Sequence, residues 1–196
     1  MIMRNIVCAL SLVIGLMIAT NARSAQTWDP FDGVSKLVSW FVNLNEQFDK
    51  VIITEKRGQL LRTSDRLRKE LYTLETDTRI ILDNLPDSVP TTEQHDYLIS
   101  LASDLLKTVQ RMSLVVREFG ADLRVNDAND VEIALTIGLR VRAITLTYLR
   151  NAIEESKTGK WDAPDIRRKL ERGLGAVREA QLSVTSFSQK LRTAKK

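Results

Sequence analysis

Beyond residue 33, apolar side chains recur at alternating spacings of three and four, the signature of amphipathic helices with one buried stripe. Leu37, Phe41, Leu44, Phe48 and Val51 form a first register. Leu60, Leu67, Leu71, Leu74, Thr78, Ile81 and Leu85 form a second. The two are out of phase across Lys56-Arg57-Gly58-Gln59. A single helix through both would run about 80 Å, roughly twice any other in the chain. The pattern therefore predicts a kink or break near Gly58, so that the N-terminal segment either extends the first helix or folds back as a fifth.

Leu85-Pro86-Asp87-Ser88-Val89-Pro90 cannot continue a helix and reads as a linker. Thr91, three residues ahead of Gln94, then offers a capping box. The helix it opens carries Leu98, Leu101, Leu105, Met112, Val115 and Phe119 as its stripe and ends near Gly120. Asn126 to Asp130 supplies candidate N-caps for a third helix ending near Gly159. Within it, Val131 to Val141 also alternates apolar and polar residues with a strand period. A solitary buried strand among helices would leave its backbone unpaired, which favours a helix buried on two faces. The last helix opens at Asp162 with Pro164 in its first turn. It sustains a seam of Ile166, Leu170, Gly173, Val177, Ala180, Val184, Phe187 and Leu191. The expected fold is all-α: an up-and-down antiparallel bundle of four long helices, with the first broken or extended near Gly58.

The first 25 residues read differently. One arginine in Met1 to Asn5 precedes an apolar run from Ile6 to Thr20, and Ala22-Arg23-Ser24 places small residues at −3 and −1 of a cut. This is the pattern of a signal peptide cleaved near Ser24/Ala25, which leaves residues 26–196 as one helical-bundle domain. Export to a periplasm or to the exterior follows, with an uncleaved N-terminal anchor as the alternative. The lone cysteine, Cys8, falls inside this leader, so the mature chain has neither disulfide nor thiolate.

Removing Arg4 and Arg23 leaves 27 basic against 25 acidic residues, too balanced for a nucleic-acid binder. A basic bias persists only from Asp162 onward, with nine Lys/Arg against four Asp/Glu. A charged, solvated helix C-terminus accounts for it; an anionic membrane surface is the other reading.

Chemistry is sparse. One histidine, His95, rules out paired Glu-x-x-His dimetal motifs, and its place in a first helical turn predicts an exposed polar residue. No Gly-x-Ser-x-Gly occurs, and Ser156-Lys157-Thr158-Gly159-Lys160 lacks the upstream glycine and strand of a phosphate loop. Adjacent acids such as Glu154-Glu155 point in different directions on a helix. No catalytic residue, cofactor site or metal site is expected, although an enzyme built from scattered carboxylates stays as an alternative.

The surviving candidates are interaction surfaces. Trp28, Phe31, Trp40, Phe41 and Phe48 hold five of the mature chain's eleven aromatics. Such a face usually means core, and otherwise a partner groove or a membrane contact. The leading expectation is an exported, non-catalytic bundle acting through a protein partner, as an adaptor, inhibitor or immunity-type factor. The alternative is a membrane-active bundle, lipid-binding or pore-forming, that uses the aromatic N-terminal helix or the Val131–Ile153 segment. A leftover apolar stripe would also allow an oligomer.

Overall fold

The computed structural model describes residues 32–52, 54–123 and 150–194. The elements are α1 (Asp32–Glu46), a single turn α2 (Phe48–Val51), a 3-10 turn (Thr54–Lys56), α3 (Arg57–Asp83), α4 (Thr92–Asp122), α5 (residues 150–156) and α6 (Ala163–Thr193). All described regular structure is helical, and the helices pack on one another as an all-α bundle.

Cross-helix ion pairs give the directions. Lys56 meets Asp122, Arg66 meets Glu118 and Glu70 meets Arg111, so residue numbers rise along α3 as they fall along α4. Asp65 meets Arg192, Glu75 meets Arg178 and Asp87 meets Arg167, so α6 is antiparallel to α3 as well. α3 thus stands between α4 and α6, and α1 packs on α6. Leu60, Leu67, Leu71, Leu74 and Ile81 are fully buried, as the second register requires, and so are Val177, Ala180, Val184, Phe187 and Leu191 on α6. Gly173 and Ala180, the small members of that seam, are buried as well.

The break lies just ahead of Gly58. The chain leaves the α-helix at Gln47 and again at Ile52, whose backbone is extended (φ −93°, ψ 127°), before α3 starts at Arg57. Gly58 sits inside the first turn of α3. Asn45 Nδ2 donates to the Ser183 carbonyl at 3.2 Å, more than two turns inside the end of α6. A straight extension of α3 would overshoot that end, because Arg57 already donates to the carbonyls of Leu191 and Arg192. α1 is therefore a fifth helix folded back beside α6.

At the start of α4, Thr91 Oγ1 accepts from the Gln94 amide at 3.3 Å, and Gln94 Oε1 accepts from the Thr91 amide at 3.0 Å. Asp162 caps α6 through the Asp165 amide at 2.9 Å. α5 closes in a turn whose Gly159 has φ 76°, a left-handed conformation that glycine takes without a Cβ penalty. The expected third helix, with its Val131–Ile153 segment, lies outside the described residues up to 149; its end is helical and buries Ile153.

His95 is not exposed. It keeps only 5% of its surface, because positions 95, 98, 102 and 105 share the inward face of α4. Its first-turn position concealed this: residues at a helix start still follow the helix's own stripe.

Candidate functional site

Four described helices end on carbonyls that lack intrahelical partners, and each end receives a cation from another segment of the chain. Lys190 on α6 donates to the Asn45 carbonyl of α1 at 2.6 Å. Arg167 on α6 reaches the carbonyls of Leu82 (3.4 Å) and Leu85 (3.3 Å) beyond α3. Lys56 reaches the Ala121 carbonyl of α4 at 3.4 Å and Asp122 Oδ1 at 3.0 Å. Arg57 serves α6. The last turns of α1, α3 and α4 contain no basic residue of their own, so the charge that complements each helix dipole comes from a neighbour. These cations are structural.

The aromatic candidates divide. Trp28 and Phe31 lie outside the described residues. Trp40 and Phe41 point inward, with 4% and 0% of their surface exposed, and Phe48 is half-buried. Phe41 meets Phe119 (centroids 5.1 Å apart) and Phe187 (5.8 Å), while Trp40 stands edge-on to Phe119 at 5.7 Å and Phe48 to Phe187 at 5.4 Å. This is an aromatic core that joins α1, α4 and α6. Trp40 Nε1 and Asn45 Oδ1 are buried without a hydrogen-bond partner among the described residues.

A second cluster lies at the seam of α3 and α6. Glu75 accepts from Arg79 Nη2 at 2.7 Å on its own helix, and from Arg178 Nε (3.1 Å) and Gln181 Nε2 (3.0 Å) across the seam. The hydrogen bond from Arg79 is the largest influence; with those from Gln181 and Arg178 it outweighs the cost of burial and lowers the Glu75 pKa to about 2. At neutral pH this carboxylate is a fixed anion with no proton to give. Glu154 is also lowered, first by the hydrogen bond from Lys157.

The same network sets the register of the surface beside it. Tyr72 is one turn before Glu75 on α3, and Leu182 is one turn after Arg178 on α6. In antiparallel helices those offsets bring Tyr72 and Leu182 to the same level, flanking the seam. Both face solvent, Tyr72 at 56% and Leu182 at 71% exposure. Arg79 and Arg178, each about half exposed, both lie on the Glu75 side of that level. Neither apolar residue belongs to a buried stripe of the sequence. That was the available signal: Leu182 lies on the opposite side of α6 from its Val177–Val184 seam, and Tyr72 lies well off the α3 stripe.

His95 sits at the other end of the bundle. Its Nδ1 lies 3.2 Å from Asp96 Oδ1, and Nε2 is buried without a partner among the described residues. Trp161 Nε1 closes that end by donating to the Pro86 carbonyl at 2.9 Å. Among the described residues no group of three or more His, Cys, Asp or Glu side chains is placed to hold a metal ion, and no helix is long and apolar enough to cross a membrane. No family model, curated protein or solved structure matches this chain.

Proposed function

We propose that this is an exported helical-bundle protein that acts by binding another protein, through the outer face of α3 and α6. One observation carries the reading: two large apolar side chains, Tyr72 and Leu182, are held in water at one level of a packed helix pair, with two half-exposed arginines further along the same seam. Leaving Leu182 exposed gains the folded monomer nothing, whereas covering it on binding removes apolar surface from water at roughly 25 cal/mol per Å². Tyrosine and arginine around an aliphatic anchor are also the side chains enriched where binding energy concentrates. Because the Glu75 network fixes the register, the face is preorganised and little ordering cost falls on the complex.

The test places a photo-crosslinking amino acid at position 182 or 72 of the chain expressed in its own host. The expected result is one discrete adduct of the same partner from both positions, lost when Leu182→Asp is combined with the position-72 probe. Adducts that scatter over many proteins, or none at all, would sink the reading. A crosslink to a second copy of the chain would convert the face into a homo-oligomer interface.

A further inference from the structure

We infer that α1 is a stored lipid-interface helix: it is held closed against Phe119 and Phe187 in water and transfers its Val34, Leu37, Trp40, Phe41 and Leu44 face to a bilayer surface.

Four features of α1 converge on this. First, it is joined to α3 through two interruptions, at Gln47 and at Ile52, so it can swing without unwinding α3. Second, its stripe is continuous: Val34, Leu37, Trp40, Phe41 and Leu44 are all buried in the closed bundle. Third, its other face is weakly charged. α1 carries three charged residues in 15, whereas α3 carries eleven in 27, and the outward positions include Ser35, Ser39, Asn43 and the exposed Val42. With so few charges, any binding of this helix to a bilayer scales with its apolar stripe rather than with attraction to anionic headgroups. Fourth, the closed state leaves the Trp40 indole N–H and the Asn45 side-chain oxygen buried without partners among the described residues. An unpaired buried polar group opposes burial. A bilayer interface offers carbonyl oxygens and water to both atoms while still taking the indole's apolar body.

The opposing force is also visible. Release uncovers Phe119 and Phe187 and breaks the hydrogen bonds of Asn45 with Ser183 and of Lys190 with Asn45. In water the closed state therefore dominates, and lipid shifts the population by binding the open one. With so few basic residues on α1, the attraction is apolar and insensitive to salt. The proposal rests on α1 alone and is independent of the Tyr72/Leu182 face, so Leu182→Asp leaves it unchanged.

The experiment uses the chain from Gln26 onward, which keeps every described residue and contains no cysteine. Asn45→Cys with Ser183→Cys locks α1 to α6 when oxidised. Flotation is measured with phosphatidylcholine vesicles, with and without phosphatidylglycerol, in low and high salt. The reduced protein is expected to float under all four conditions, and the oxidised protein to stay at the bottom. Trp40→Phe in the unlocked chain is expected to keep the helical signal and reduce vesicle partitioning by about threefold or more. Equal flotation of locked and reduced forms overturns the proposal, as does no flotation of either. Flotation that needs anionic lipid and disappears in salt assigns the binding to the basic C-terminal residues instead. A lipid-free dimer of the reduced protein, absent on oxidation, means that α1 exchanges between copies, which also overturns it.

Discussion

Glu75 shows how a single side chain can register two helices. Its carboxylate takes hydrogen bonds from both α3 and α6, and its folded pKa of about 2 lies below the ordinary 4.5. A depressed carboxylate stabilises the fold fully above its unfolded pKa, and that stability drains away as pH falls from about 4.5 toward 2. Urea denaturation is expected to show a loss of about 1–2 kcal/mol across this window, after allowance for solvent screening. Glu75→Gln should remove most of that pH dependence. His95 is a buried ring whose Nε2 has no partner among the described residues. Replacing an unsatisfied polar group by an apolar one of similar size removes a desolvation penalty. His95→Leu is therefore expected to leave stability within about 1 kcal/mol of wild type, on the stabilising side, by chemical denaturation. A marked loss would mean that the ring makes a contact which its unpaired nitrogen conceals.

At the scale of elements, α4 and α6 start on capping residues of their own, whereas α1, α3 and α4 finish on cations from other segments. The Thr91–Gln94 box and the Asp162 cap are local devices, set by residues three apart. Thr91→Ala should cost about 1 kcal/mol, measured as a lower denaturation midpoint with an unchanged denaturant slope. The C-terminal ends depend on cations supplied from far along the chain: Arg167 for α3, Arg57 for α6, Lys56 for α4 and Lys190 for α1. Arg167→Met keeps much of the aliphatic stem and removes the donors, and is expected to lower stability by about 1 kcal/mol. Hydrogen exchange should locate that loss at Leu82–Leu85, the end of α3, rather than throughout the bundle.

In the whole molecule, the aromatic cluster is where α1, α4 and α6 become one body. Phe187 touches Phe41, Phe48 and Phe119, with centroids 5.4 to 5.8 Å apart. Phe187→Ala leaves a cavity shared by three helices and should cost about 3–5 kcal/mol in thermal or chemical unfolding. Leu182→Asp on the outer face should change stability by no more than about 0.5 kcal/mol while abolishing the crosslinked complex. That contrast separates a core residue from the proposed contact residue on the same helix, five positions apart.

The stripes of α3, α4 and α6, the Pro86–Pro90 linker, the Thr91 capping box and the Asp162 start were all legible in the order of residues. Each depends on side chains within a few positions of one another, and local periodicity with local capping is enough to specify them. The position of α1 was not legible. A phase slip announces a break, but only the reach of Asn45 to Ser183 shows on which side of it the helix lies. Trp40 and Phe41 likewise read as an apolar face in sequence, and it took Phe119 and Phe187, from distant helices, to turn that face into core. Tyr72 and Leu182 are the reverse: 110 positions apart, they become neighbours in level only because antiparallel packing through Glu75 aligns them. Periodicity says which face of a helix turns inward. Which helix it meets, and which residues are left together in water, depends on contacts between segments that carry no information about each other until the chain has folded.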